Sequence, residues 1–107
     1  MKHIETLMET VLSRKAEPRE GSYTSYLFEK GEQKILKKVG EESTEVIIAS
    51  LAGTKEELIG ESADLLYHLV VLWAEKGVTT DEVNAELEKR AEKQGNLKPE
   101  RKPVENW

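Results

Sequence analysis

The sequence predicts an all-α fold: a helical bundle of about four helices around a central antiparallel helical hairpin, working as a dimer. Three observations carry that expectation. Apolar residues recur along most of the chain at the i, i+3, i+4, i+7 spacing of amphipathic helices. Glycines and Thr-x-x-Glu capping boxes fall between those periodic segments, where helices should stop and start. Hydrophobic residues make up 37% of the chain and charged residues 35%, which fits a globular domain with a heavily charged surface better than disorder.

The first helix should run from about His3 to Lys15, because Ile4, Leu7, Met8, Val11 and Leu12 line one of its sides. Ala16 to Gly31 holds Pro18, Gly21 and Gly31 around the hydroxyl-rich Ser22-Tyr23-Thr24-Ser25-Tyr26, and reads as an ordered loop. A second helix, Glu32 to Ala52, carries Ile35, Val39, Val46, Ile47 and Leu51. Gly40 lies on its apolar side, where the roughly 1 kcal/mol helical cost of glycine relative to alanine predicts the close approach of another backbone. Gly53 ends this helix, and Thr54-x-x-Glu57 opens a third, Lys55 to Lys76, apolar over most of its surface and therefore expected to be the central, most buried element. Gly77 and Thr79-x-x-Glu82 introduce a more polar fourth helix lined by Val83, Leu87 and Ala91 and ending near Gly95. The organisation is thus one domain over residues 1–95 and a C-terminal tail over residues 96–107 that hangs on the surface or crosses onto a partner. A bundle this small needs help covering its apolar side chains, and Leu66, Val70, Val71 and Trp73 on the third helix are surplus to what its thin neighbours can cover; a partner subunit is expected.

Composition narrows the function. The 16 Lys and Arg against 21 Asp and Glu give a net charge of -5, so the surface as a whole repels nucleic acid and anionic membrane. Zero cysteines exclude a disulfide framework, a thiolate nucleophile and a cysteine-ligated zinc, and are compatible with a reducing cytosol. The N-terminus has no apolar signal core, and the longest apolar run, Leu69 to Ala74, is far below the ~20 residues needed to span a bilayer. A cytoplasmic location is expected.

Chemistry is concentrated in two acidic runs. The second helix contains Glu41-Glu42-Ser43-Thr44-Glu45 and the third Glu61-Ser62-Ala63-Asp64. At about 100° per residue Glu41, Glu42 and Glu45 share one arc, with Glu42 bordering the apolar side, and Glu61 and Asp64 are i, i+3 neighbours. Glu45 and Glu61 each lie eight residues from Gly53, and Glu42 and Asp64 each lie eleven, so both pairs should face one another across the hairpin. A Glu-rich face taken alone is more often a solvated surface paired with lysines. Two acidic runs matched about one turn and bordered by apolar residues favour a cation site instead, and donors limited to oxygen suit magnesium, with manganese a possible substitute, or calcium. A di-iron bundle would need Glu-x-x-His on facing helices, and the chain has none. His68, one turn beyond Asp64, reads as a structural histidine rather than a ligand. Lys34, Lys37 and Lys38 precede the acidic run and suit surface pairing or phosphate binding equally. The Ser22-Tyr23-Thr24-Ser25 hydroxyls suit a plain surface loop or contacts to phosphate, ribose and base.

The runs Ser22-Tyr23-Thr24-Ser25-Tyr26-Leu27, Lys37-Lys38-Val39-Gly40-Glu41-Glu42 with Glu45, and Glu61-Ser62-Ala63-Asp64-Leu65-Leu66-Tyr67-His68 resemble phosphoribosyl-ATP pyrophosphatase of histidine biosynthesis, over about residues 3 to 94. The paired Glu-Glu-x-x-Glu and Glu-x-x-Asp signature, with fifteen residues between its halves, is shared by the wider all-α nucleoside-triphosphate pyrophosphatase superfamily; the Ser-Tyr-Thr-Ser and Lys-Lys-Val-Gly-Glu-Glu runs narrow the resemblance. The resemblance implies a dimeric all-α enzyme that hydrolyses phosphoribosyl-ATP to phosphoribosyl-AMP and pyrophosphate. It further implies magnesium held by Glu42, Glu45, Glu61 and Asp64, with Glu41 beside them orienting water. Lys34, Lys37 or Lys38 would meet the phosphates, and Ser22, Tyr23, Thr24 and Ser25 would help seat this small-molecule nucleotide. Ser43 stands where many members carry alanine, a departure that touches packing and leaves the carboxylates intact. A house-cleaning pyrophosphatase for non-standard nucleotides, and a helical module whose acidic face meets a basic partner, are the competing readings.

Overall fold

A computed structural model describes residues 1–93, and among them every regular element is helical. There are five helices rather than four: α1 Lys2–Ala16, α2 Tyr23–Lys30, α3 Glu32–Ala52, α4 Lys55–Lys76 and α5 Thr80–Ala91. The end expected near Gly95 and the tail over residues 96–107 lie outside the described residues.

The helix absent from the sequence expectation is α2, which occupies the segment expected to be a loop. Its eight residues contain no glycine or proline, and both ends are closed chemically. Ser22, in an extended conformation, accepts a hydrogen bond from the Ser25 N–H at 3.1 Å. Gly31, at φ +92°, donates its N–H to the Leu27 carbonyl at 2.9 Å and in the same residue starts α3. A helix of little more than two turns is marginal by itself. Leu27, fully buried, anchors it to the rest of the chain.

α3 and α4 form the expected antiparallel hairpin, joined through Gly53 and Thr54. At the joint Thr54 accepts from the Glu57 N–H at 3.1 Å while the Glu57 carboxylate accepts from the Thr54 N–H at 3.3 Å, completing the capping box. A Cβ on Gly53 would stand 3.0 Å from the Ala49 carbonyl oxygen of the preceding helical turn; at Gly40, where another backbone was expected close by, a Cβ would meet nothing within 4 Å. The glycine at 40 therefore costs helix stability without relieving crowding inside this chain. At the open end of the hairpin Lys76 and Glu32 are ion-paired at 2.6 Å, Lys15 of α1 donates to the Ala74 carbonyl at 2.9 Å, and Gly77 ends α4 in the left-handed region at φ +74°.

The core sits at that open end. Met8 and Val11 of α1, Leu27 of α2, Ile35 of α3 and Val70, Val71 and Ala74 of α4 form it. α4 is thus the central element only over its C-terminal half. Val70 and Val71, expected to be surplus for a partner, are fully buried within the chain because α1 and α2 clasp this end. Toward the turn the helices run without cover: Ile47, Ile48, Leu51 and Ile59 are 59%, 51%, 83% and 59% exposed. No helix among the described residues is long and apolar enough to cross a membrane.

Candidate metal and phosphate site

The acidic residues lie where the hairpin leaves the clasp. Carboxylate oxygens of Glu42 on α3 and of Glu61 and Asp64 on α4 all come within 4.8 Å of one another, Glu42 and Glu61 half-buried and Asp64 exposed. Helical period explains the grouping: Glu61 and Asp64 are one turn apart on the side of α4 that faces α3, and Glu42 projects between them. Glu45, expected to stand level with Glu61, is exposed and outside this trio, yet close enough to act on Glu61. Glu42 thus reaches both Glu61 and Asp64, with Glu45 near enough to Glu61 to be felt. Partial burial, and then the negative charges of Glu42, Asp64 and Glu45, push the Glu61 carboxyl above its ordinary range. Like charges held this close in the apo chain are what a hard cation relieves, and an all-carboxylate donor set fits magnesium or manganese.

Lys38 reaches the same cluster from one turn earlier, 3.6 Å from Glu41 and 3.6 Å from Glu42. Burial works against its charge, but Tyr23, Glu41 and Glu42 outweigh that and raise its pKa. Glu41 thus faces Lys38 with a half-exposed side chain instead of entering the carboxylate trio. Lys34 is half-buried and Lys37 exposed, and among the described residues neither is ion-paired. Both cations stay available to an anionic ligand.

The four residues from 22 to 25 divide by role. Ser22 caps α2, and the buried Ser25 hydroxyl accepts from the Arg19 N–H at 3.0 Å, fixing the turn into the helix. Thr24 and Tyr67 share a hydrogen bond between their hydroxyls. The Tyr23 hydroxyl lies 3.0 Å from His68 Nε2, and its ring is close enough to Lys38 and Glu42 to feel both charges. His68 is buried, with Nδ1 2.8 Å from the Asp64 carbonyl, so both ring nitrogens are satisfied by protein groups, as the structural reading expected. Tyr67 was not singled out as a site residue, although its isolation as a polar group in an apolar helix was the available signal. Burial raises the pKa of both tyrosines, so each is a neutral phenol near pH 7.

Known proteins with similar sequences identify the family. A family model described as Phosphoribosyl-ATP pyrophosphohydrolase matches residues 4–91. A phosphoribosyl-ATP pyrophosphatase of Clostridium novyi is 54% identical over 103 residues, covering 96% of this chain and 94% of the relative. Proteins of the same name from Streptococcus gordonii, 55% identical over 88% of this chain and 90% of the relative, and from Lactiplantibacillus plantarum, 54% identical over 92% of each, extend the likeness. Alignment over nearly the full length, spanning both acidic runs and the hydroxyl segment between α1 and α3, means that this chain belongs to the phosphoribosyl-ATP pyrophosphohydrolase family.

Proposed function

We propose that this chain hydrolyses phosphoribosyl-ATP between its α and β phosphates, releasing phosphoribosyl-AMP and pyrophosphate in histidine biosynthesis. Family membership supports the reaction. The observation that carries the site is the convergence of Glu42, Glu61 and Asp64 within 4.8 Å at a place where their charges have no full internal compensation.

Glu42, Glu61 and Asp64, with Glu45 closing in from the next turn of α3, would hold magnesium, or manganese in its stead. Once bound, the ion would offset triphosphate charge and help align or activate the attacking water. Glu41, tethered to Lys38, would orient that water. Lys34, Lys37 and Lys38 attract the phosphates along α3. Ser22 and Ser25 act by holding the turn before α2 in shape, and Tyr23 and Thr24 stand at its exposed start to receive the sugar and base. Residues 1–95 serve as the catalytic domain, and cytoplasmic residence belongs to the same proposal. The working unit is a homodimer, supported by the uncovered Ile47, Ile48, Leu51 and Ile59, which a second copy would remove from water.

Turnover of phosphoribosyl-ATP against a panel of standard and non-standard nucleotides tests the reading. Magnesium-dependent release of pyrophosphate, lost in excess chelator and strongest on phosphoribosyl-ATP, is the expected result. Equal or faster cleavage of non-standard nucleotides would replace it with the house-cleaning activity.

A further inference from the structure

We infer that Tyr23 and His68 form a polarised pair in which His68 holds the Tyr23 hydroxyl as a hydrogen-bond acceptor toward the site, so that Tyr23 recognises a sugar hydroxyl and not a phosphate. The inference rests on the proposed function for its substrate, but its basis is the hydrogen-bond chemistry of the pair. The Asp64 carbonyl, 2.8 Å from His68 Nδ1, can only accept, so Nδ1 carries the proton. In the neutral ring Nε2 is then bare, and the group 3.0 Å from it, the Tyr23 hydroxyl, must donate. A phenol has one proton, and here it points into the protein; only oxygen lone pairs remain for the open side. Tyr23 is 44% exposed, and the His68 it bonds is itself held by the Asp64 carbonyl, so the pair stands beside the carboxylate cluster to which Asp64 belongs. A phosphate oxygen offered to it would meet a second acceptor, and goes to the neighbouring lysines instead. A ribose hydroxyl can donate to it.

The arrangement is held on several sides. His68 is 5% exposed, its ring meets Tyr67 edge-on at 4.9 Å and Tyr23 edge-on at 5.7 Å, and Thr24 is tied to Tyr67 beside it. His68 is therefore a positioning residue: it touches no substrate, and it transmits the position of the Asp64 turn to the Tyr23 hydroxyl. The same bond links the metal half of the site to the sugar half.

Tyr23→Phe keeps the ring and removes the acceptor. It should lower kcat/KM on phosphoribosyl-ATP about five- to tenfold, as loss of one neutral hydrogen bond does, mainly through KM. Arms with ATP, 2′-deoxy-ATP and 3′-deoxy-ATP identify the sugar. A Tyr23→Phe loss on ATP that vanishes on one deoxy analogue assigns the nucleoside ribose, and a loss confined to phosphoribosyl-ATP assigns the added ribose; either supports the pair. His68→Gln, whose amide can donate to Asp64 and accept from Tyr23, should retain the wild-type KM better than His68→Leu. Nitrogen-15 spectra of the wild-type protein should show His68 protonated at Nδ1 alone. A proton on Nε2, unchanged kcat/KM for Tyr23→Phe on every substrate, or a loss wholly in kcat would overturn the inference. Failure of the wild type to cleave phosphoribosyl-ATP would instead remove the proposed function, leaving the His68 tautomer and the ATP arms to decide the pair.

Discussion

The two ends of the α3–α4 hairpin are made from the same two helices and similar apolar residues, yet they have opposite environments. At the open end Ile35, Val70 and Val71 are fully buried under α1 and α2. At the turn Leu51 is 83% exposed and Ile59 59% exposed, with no element of the described chain over them. The difference lies in what covers the helices, not in their propensity to form. It shows how a small chain stabilises itself at one end and leaves the other uncovered, with Glu42, Glu61 and Asp64 at the boundary, where packing can orient them while Lys38 offsets only part of their charge.

The comparison can be broken at several strengths. Asp64→Asn keeps shape and removes charge at the boundary, so turnover should fall by more than the roughly 10–100-fold that loss of a supporting group costs a metal site, with an unchanged circular dichroism spectrum. Turnover within twofold of wild type would remove Asp64 from the cation site. Leu27→Ala at the clasped end should cost about 2–5 kcal/mol in denaturant unfolding, since it empties the anchor of α2, whereas Leu51→Ala at the turn should cost the fold of a single copy under about 0.5 kcal/mol. Ile47→Asp with Leu51→Asp should instead shift sedimentation toward monomer; a monomeric wild type at micromolar concentration would reject the dimer. Thr54→Ala, removing one half of the capping box, should cost about 1 kcal/mol.

How far each region could be read from sequence follows the same division. The hairpin was legible because both acidic runs, the Thr54-x-x-Glu57 capping box and the apolar period all refer to the one turn at Gly53. α2 was not, because Pro18, Gly21 and Gly31 mark the segment as irregular while the burial of Leu27 that holds it helical is a tertiary fact. Within the site, counting residues from Gly53 pairs Glu42 with Asp64 and Glu45 with Glu61; that Glu42 also reaches Glu61 depends on side-chain conformation, which spacing does not give. Ser25 had the composition of a ligand-binding hydroxyl; only the folded turn shows it accepting from Arg19. The bond between Tyr23 and His68 joins residues 45 positions apart, a separation no local pattern encodes.

The claim that the boundary cluster is a strained cation site is tested most directly at Glu61, by thermal unfolding with and without magnesium across pH, alongside turnover. Its raised pKa means that the folded apo chain holds the proton more tightly than the unfolded chain. That stabilisation is present in acid and is lost as pH rises through the folded value. Magnesium needs the proton gone, so it should raise the melting temperature at neutral pH and progressively less as pH falls through the raised value. Glu61→Gln should melt higher than the wild type at neutral pH without metal, respond weakly to magnesium and have lost its turnover. A Glu61→Gln protein with wild-type magnesium response and wild-type turnover would contradict the account.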